Sequence, residues 1–200
     1  MREARRAQPL GLATKSIKVV NMAPNFEALS LIAEVALGIV GFSAILIGLN
    51  RSQAGLSEPD DFRIRLLSFS GFGALFAALL PFAAFDLENS HHAWRIVTWT
   101  LASYALFGLM VFPQKMLSLR AEGYVTLFPL HIFAVQTGIL SVVFVLSTFM
   151  VVGWIEEKAL CYTVCLLLYL AQSSVAFFRT MFVRVTSDFD EASPVRGEHR

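Results

Sequence analysis

Five long apolar runs occupy residues 26–49, 66–85, 96–112, 127–152 and 159–183, and nearly every charge falls between them. A hydrocarbon core about 30 Å thick is crossed by about 20 helical residues rising ~1.5 Å each. The third run is the shortest, and Trp94 and Arg95 extend it at the interface. Lipid offers no partners to backbone N–H and C=O groups, so such runs are helices or the strands of a closed barrel. Barrel strands are about 10 residues long and alternate apolar with polar positions. These runs are longer and do not alternate, so the chain is predicted to be all-α, a five-helix transmembrane bundle. With 56% hydrophobic and only 16% charged residues, it falls outside the range of water-soluble domains.

The helices are expected near 26–49, 58–85, 94–112, 127–152 and 158–183, within a transmembrane domain of residues 26–185. Residues 1–25 form an N-terminal tail and 186–200 a polar, disordered C-terminal one. The first apolar run is followed by no small-residue cleavage pattern, so it is expected to remain as a helix rather than leave as a signal peptide. Residues 1–21 carry Arg2, Arg5, Arg6, Lys15 and Lys18. Two readings fit them: an extension upstream of a true start at Met22, or a cytoplasmic tail. Cys161 and Cys165 lie one turn apart on one helix, a poor geometry for a disulfide. Without partnering His or Asp they make no metal site.

Five crossings place the termini on opposite sides. From Met22 onward, the side shared by the N-terminus, loop 86–95 and loop 153–158 carries Arg95 and Lys158. The other side carries Arg51, Arg63, Arg65, Lys115, Arg120 and Arg184, with Arg179 near its helix end. The positive-inside rule then puts the N-terminus outside and the C-terminus in the cytoplasm, whereas counting the five Lys and Arg of residues 1–21 nearly cancels the bias.

Small and polar residues recur at helical spacing. In helix 1, Ser30, Glu34, Gly38, Gly41, Ile45 and Gly48 share a face. Glycines on one stripe allow a second helix to approach closely. A carboxylate is costly against lipid, so this stripe is expected to face the protein interior. Ser57 and Asp60 give helix 2 a capping signal, with Arg63 and Arg65 snorkelling at the interface. Farther along, Ser68, Gly71, Ala74, Ala78 and Pro81 form its small face. Helix 3 opens on a Trp94–Trp99 aromatic belt and aligns Thr98, Ala102, Ala105 and Gly108. Helix 4 aligns His131, Ala134, Gly138, Ser141 and Thr148, with Gln136 pointing about 140° away from His131. Helix 5 stacks Cys165, Tyr169, Gln172, Ala176 and Arg179. The expected core is the small faces of helices 1 to 4, closed by the polar face of helix 5.

Glu34 is the leading candidate for chemistry, because intramembrane acids mark ion or proton paths. It serves equally as interhelical glue, hydrogen-bonded to Gln172 or a hydroxyl. Gln172 and Arg179 could line a polar track with it. The bland readings are a packed glutamine and an arginine reaching lipid phosphates. His131 lacks a second histidine at matching depth, which argues against haem. His91 and His92 read as a solvated loop rather than a metal site. Ser68-Phe69-Ser70-Gly71 matches only part of a rhomboid-type serine motif and lacks a histidine at the right depth. No phosphate loop or dinucleotide fingerprint is present.

The segment from Glu34 to Ile45, E-x-x-x-G-x-x-G-F-x-A-I, together with Ala78-Leu79-Leu80-Pro81, resembles uncharacterised small bacterial polytopic membrane proteins. The resemblance covers about the first half of the chain. It implies a bacterial inner-membrane setting and a start near Met22, and it carries over no activity.

The expectation is a non-enzymatic membrane component without cofactor or metal. Its partners would be the lipid bilayer and a second copy or another membrane protein, with no nucleic acid. The alternative is a small proton or ion channel or transporter with Glu34 in its path.

Overall fold

The computed structural model describes residues 23–51, 58–85, 90–123 and 130–191. It consists of α1 (Phe26–Arg51), α2 (Glu58–Ala84), α3 (Ser90–Ala121), α4 (Leu130–Val152) and α5 (Lys158–Glu191), with no strand among the described residues. All five are long and apolar enough to cross a membrane. The chain is therefore an integral membrane protein built as a bundle of five helices. The proposed start at Met22, the cap at Ser57 and loop residues Asp86 and Glu88 lie outside the described residues.

Local signals set several helix ends. At the start of α1, the Ala28 N–H donates to Asn25 Oδ1 at 3.1 Å, so the asparagine side chain caps a free helix donor. At the end of α4, Gly153 adopts φ +87° and the Trp154 N–H donates to the Phe149 carbonyl. The Phe149 and Trp154 rings lie 5.2 Å apart, the apolar contact that accompanies such a glycine-terminated helix. Two boundaries differ from expectation. α3 runs through Pro113 to Ala121 rather than ending near residue 112, because Met116 and Leu119 pack with Phe62 and Leu66 of α2. α5 continues to Glu191, so residues 186–191 are helical rather than part of an irregular tail.

Contacts between helices place α2 and α5 at the centre. α2 packs against α1, α3 and α5, while α5 packs against α1, α2 and α4, and α3 lies chiefly on α4. This corrects the expected core of helices 1 to 4 closed by helix 5. The reason lies in the faces. α2 offers buried Gly71, Ala74 and Ala78, and α5 offers buried Tyr162, Cys165, Leu166, Tyr169 and Ser173, the last reaching Gly71. At one end of the bundle the start of α1 meets the end of α2, with Phe26 and Phe82 rings 4.9 Å apart. Trp94 stands edge-on to Phe85 at 5.1 Å and to Tyr162 at 6.0 Å, so it is buried in the bundle rather than in an interfacial belt. Trp99 is exposed.

The α2–α3 contact is reciprocal. Phe69 of α2 and Tyr104 of α3 stack with ring centroids 4.2 Å apart and planes 3° from parallel. The Tyr104 ring covers Gly73 of α2, and the Phe69 ring covers Gly108 of α3. A methyl group at Gly108 would stand 2.7 Å from the Phe69 ring, and one at Gly73 would meet Tyr104. At Gly71 the obstacle is Val40 of α1, at 2.6 Å. Overpacking of this kind costs about 1–3 kcal/mol. Gly73→Ala and Gly108→Ala are each expected to lower thermal stability in detergent by that amount. Gly138→Ala, where nothing lies within 4 Å, is expected to leave it unchanged. Equal melting temperatures for all three would contradict the reciprocal packing.

Candidate functional site

α5 turns a polar face into the bundle, and this face is the one expected from sequence. Tyr162, Cys165, Tyr169, Gln172, Ser173 and Ala176 are all buried. Their spacing of three and four residues keeps them on one side of the helix. Several polar atoms reach carbonyls of α2; that of Ala77 has no helical donor, because Pro81 four residues on lacks an N–H. The Tyr162 hydroxyl donates to the Ala77 carbonyl at 2.5 Å, and Ser173 Oγ lies 3.5 Å from the Leu67 carbonyl. From α3, the Tyr104 hydroxyl donates to the Phe69 carbonyl at 2.7 Å. Gln172 differs. It is 0% exposed, and neither its Oε1 nor its Nε2 has a hydrogen-bond partner. The Tyr169 hydroxyl, one turn earlier, is likewise buried without one. A buried polar group left unpaired costs about 1–3 kcal/mol. Gln172 borders a cavity of about 10 Å³ that Phe62, Met116, Gln136 and Thr137 also line.

Arg179 continues this face and is half-buried, not wholly out at the lipid phosphates. Its charge is close enough to Arg63 for the two to act on each other. Arg63, expected to snorkel, is only 4% exposed. It shares a helical face with Leu66, Leu67 and Ser70, all buried, so the turn of α2 carries it inward. Arg65 does stay outside, where it pairs with Asp61 at 2.8 Å.

The Glu34 stripe lies elsewhere and the other way round. Glu34, Gly38, Gly41, Ile45 and Gly48 are exposed on the outside of the chain, and nothing lies within 4 Å of a methyl group placed at any of the three glycines. Glu34, Gly38, Gly41 and Ile45 form a shallow open depression together with Leu37 and Phe42. The expectation that this stripe faces inward is therefore corrected. α1 instead buries Leu29, Ile32, Ala33, Ala36 and Ser43, and Val40 on the same face reaches Gly71 of α2. Glu34 and Gln172 do not come together within one chain, so no track joins Glu34, Gln172 and Arg179 there.

Helix 4 is rotated in the same sense. His131, Ala134 and Gly138 are exposed, and Gly138 has nothing within 4 Å. The buried face is Gln136, Leu140, Val143, Ser147 and Met150. Of the expected helix-packing residues, Gly71, Ala74 and Ala78 pack inside the bundle, while Gly38, Gly41, Gly48 and Gly138 do not. Sequence reasoning therefore missed Gln136 and Arg63. A signal for Gln136 was present, because positions 136, 140, 143, 147 and 150 follow helical spacing and carry more bulk than the small stripe beside them.

Ser70, in the serine-rich stretch of α2, donates to the Leu66 carbonyl of its own helix at 2.8 Å. Cys161 and Cys165 are free thiols. No group of three or more His, Cys, Asp or Glu side chains is poised to hold a metal among the described residues. Compared with known proteins, the chain matches no family model, no curated protein and no solved structure.

The Tyr162 hydroxyl is the clearest polar tie between α5 and α2. Interhelical hydrogen bonds in membranes average about 0.6 kcal/mol and reach about 1.7 kcal/mol. Tyr162→Phe is expected to destabilise the bundle within that range, read by denaturant unfolding in mixed micelles. No measurable change would mean that this hydroxyl contributes no net stability.

Proposed function

We propose that the chain is a non-enzymatic membrane component that pairs with a second copy of itself through the outward face of α1. The observation that carries this reading is the exposed stripe of Glu34, Gly38, Gly41 and Gly48 on a membrane-spanning helix. Against lipid, a carboxyl group is costly and glycine leaves backbone poorly covered. Against another helix the same residues suit close approach, as in small-xxx-small contacts. A second copy fits for a geometric reason: the same stripe on each partner sets glycine against glycine, so the two backbones can approach closely. A proton or ion path that includes Glu34 would have to form between protomers.

Gly41→Leu is expected to fold normally yet weaken pairing at least about tenfold, or ~1.4 kcal/mol, in two-colour single-molecule imaging of the protein in bilayers. Gly138→Leu, equally open but on α4, is the matched control and is expected to pair as the natural chain does. Glu34→Gln keeps a donor and an acceptor and is expected to pair; Glu34→Leu is expected to pair poorly. A monomeric natural chain, or dimers insensitive to Gly41→Leu, would sink the reading.

The setting that goes with this role is a bacterial inner membrane, with the N-terminus outside and the C-terminus in the cytoplasm. Counted from Met22 onward, the excess of Lys and Arg on the α1–α2, α3–α4 and C-terminal side supports that orientation. Glu156→Cys, in the exposed loop between α4 and α5, is then expected to react with a membrane-impermeant maleimide added to intact cells. Labelling only after lysis would reverse the orientation.

A further inference from the structure

We propose that the cavity beside Gln172 is a binding site for a single water molecule that bridges Gln172 of α5 to Gln136 of α4. Four helices meet there: α2 with Phe62 and Leu66, α3 with Met116, α4 with Gln136 and Thr137, and α5 with Gln172. Gln172 lies seven residues before Arg179, so the site sits about 10 Å along the helix from that arginine. Its volume, about 10 Å³ of space for the centre of a water-sized sphere, suits one water and little else. The chemistry of the lining decides among occupants of that size. Gln172 is fully buried with both amide atoms unpartnered, so the occupant must both donate and accept. No carboxylate lines the cavity, which removes the counter-charge a cation would need. Two neutral amides, Gln136 and Gln172, leave an anion equally uncompensated. An apolar occupant would leave the Gln172 amide unpaired. Water donates twice and accepts twice, and it serves either amide orientation.

The consequence is a polar joint between two halves of the bundle. α3 lies mainly on α4, whereas α2 lies on α1 and α5. The bridge ties the first pair to the second at a depth where lipid offers no substitute. It is independent of how α1 pairs with another copy, because Gln136 and Gln172 lie on inner faces and the Glu34 stripe lies outside.

The test is transfer of water magnetisation to glutamine side-chain amides by NMR, on the full chain labelled with ¹⁵N-glutamine in lipid nanodiscs. Gln114, exposed on α3, is the positive control. Gln172→Met assigns its signal by loss; if that variant does not fold, correlation of side chain with backbone assigns it instead. The expected result is direct transfer from water to the Gln172 amide, reduced at least twofold in Gln136→Met, which removes the second anchor. Transfer to Gln114 with none to Gln172 would overturn the proposal. A direct Gln172–Gln136 hydrogen bond, seen as coupling between the two amides, would overturn it too. Transfer unchanged in Gln136→Met would overturn the bridge.

Discussion

Helices in hydrocarbon gain nothing from expelling water from between them, so their association depends on how closely their backbones approach. In this chain that requirement falls on α2. Gly71 admits Val40 of α1 and the Ser173 hydroxyl of α5, while Gly73 admits the ring of Tyr104 from α3. Ala74 and Ala78 are wholly buried between these contacts. Three neighbours therefore pack on one helix because it presents small residues on more than one side. The reciprocal seat of Phe69 on Gly108 shows the same logic returned by α3. Enlarging Gly71, Gly73 or Gly108 forces the facing Val40, Tyr104 or Phe69 side chain to shift.

Once α2 is surrounded, the polar content of α5 has nowhere to go but inward. Tyr162 and Ser173 turn this to use by reaching carbonyls of α2. The Ala77 carbonyl is the one that Pro81 leaves without a helical donor, and the Leu67 carbonyl offers a second lone pair, so these bonds tie two helices without breaking either ladder. Gln172 and the Tyr169 hydroxyl have no such neighbour. A polar side chain buried at membrane depth is tolerable when something satisfies it. The interior thus has a polar seam along α5, in a bundle whose remaining contacts are aromatic and aliphatic. The buried Arg63 close to Arg179 extends that seam toward the end of the bundle rich in Lys and Arg.

Where the reading from sequence and the structure part, they part by rotation. α1 and α4 each carry a small stripe and a bulkier stripe around one cylinder. In α1 one stripe holds Glu34, Gly38 and Gly41, and the other holds Leu29, Ile32, Ala36 and Val40. Periodicity finds both, but it does not state which one meets the rest of the chain. The cost of an acid against lipid argues for turning Glu34 inward, yet filling the space beside Gly71 requires Val40 and its neighbours. Packing prevails because many contacts outweigh one polar group, and the outward Glu34 is left for a different neighbour. On α2, α3 and α5 the small or polar stripe was also the inner face, so those positions were legible. Arg63 was not, since an arginine at a helix end is expected to snorkel, and only the neighbouring helices turn it into a buried residue.

The sequence by itself determined the number of membrane crossings, the all-helical class and, from Met22 onward, the asymmetry of charge between the two sides. These follow from runs of apolar residues and the absence of backbone partners in lipid, which act on each segment separately. The order of packing, with α2 and α5 central and α1 and α4 flanking, was decided only by the tertiary structure. So were the outward turn of Glu34, the inward turn of Gln136 and the meeting of Gln136 with Gln172 across one cavity. The reason is that rotation about a helix axis costs a uniform apolar segment little in lipid. It is fixed only when side chains of one helix find room between those of another.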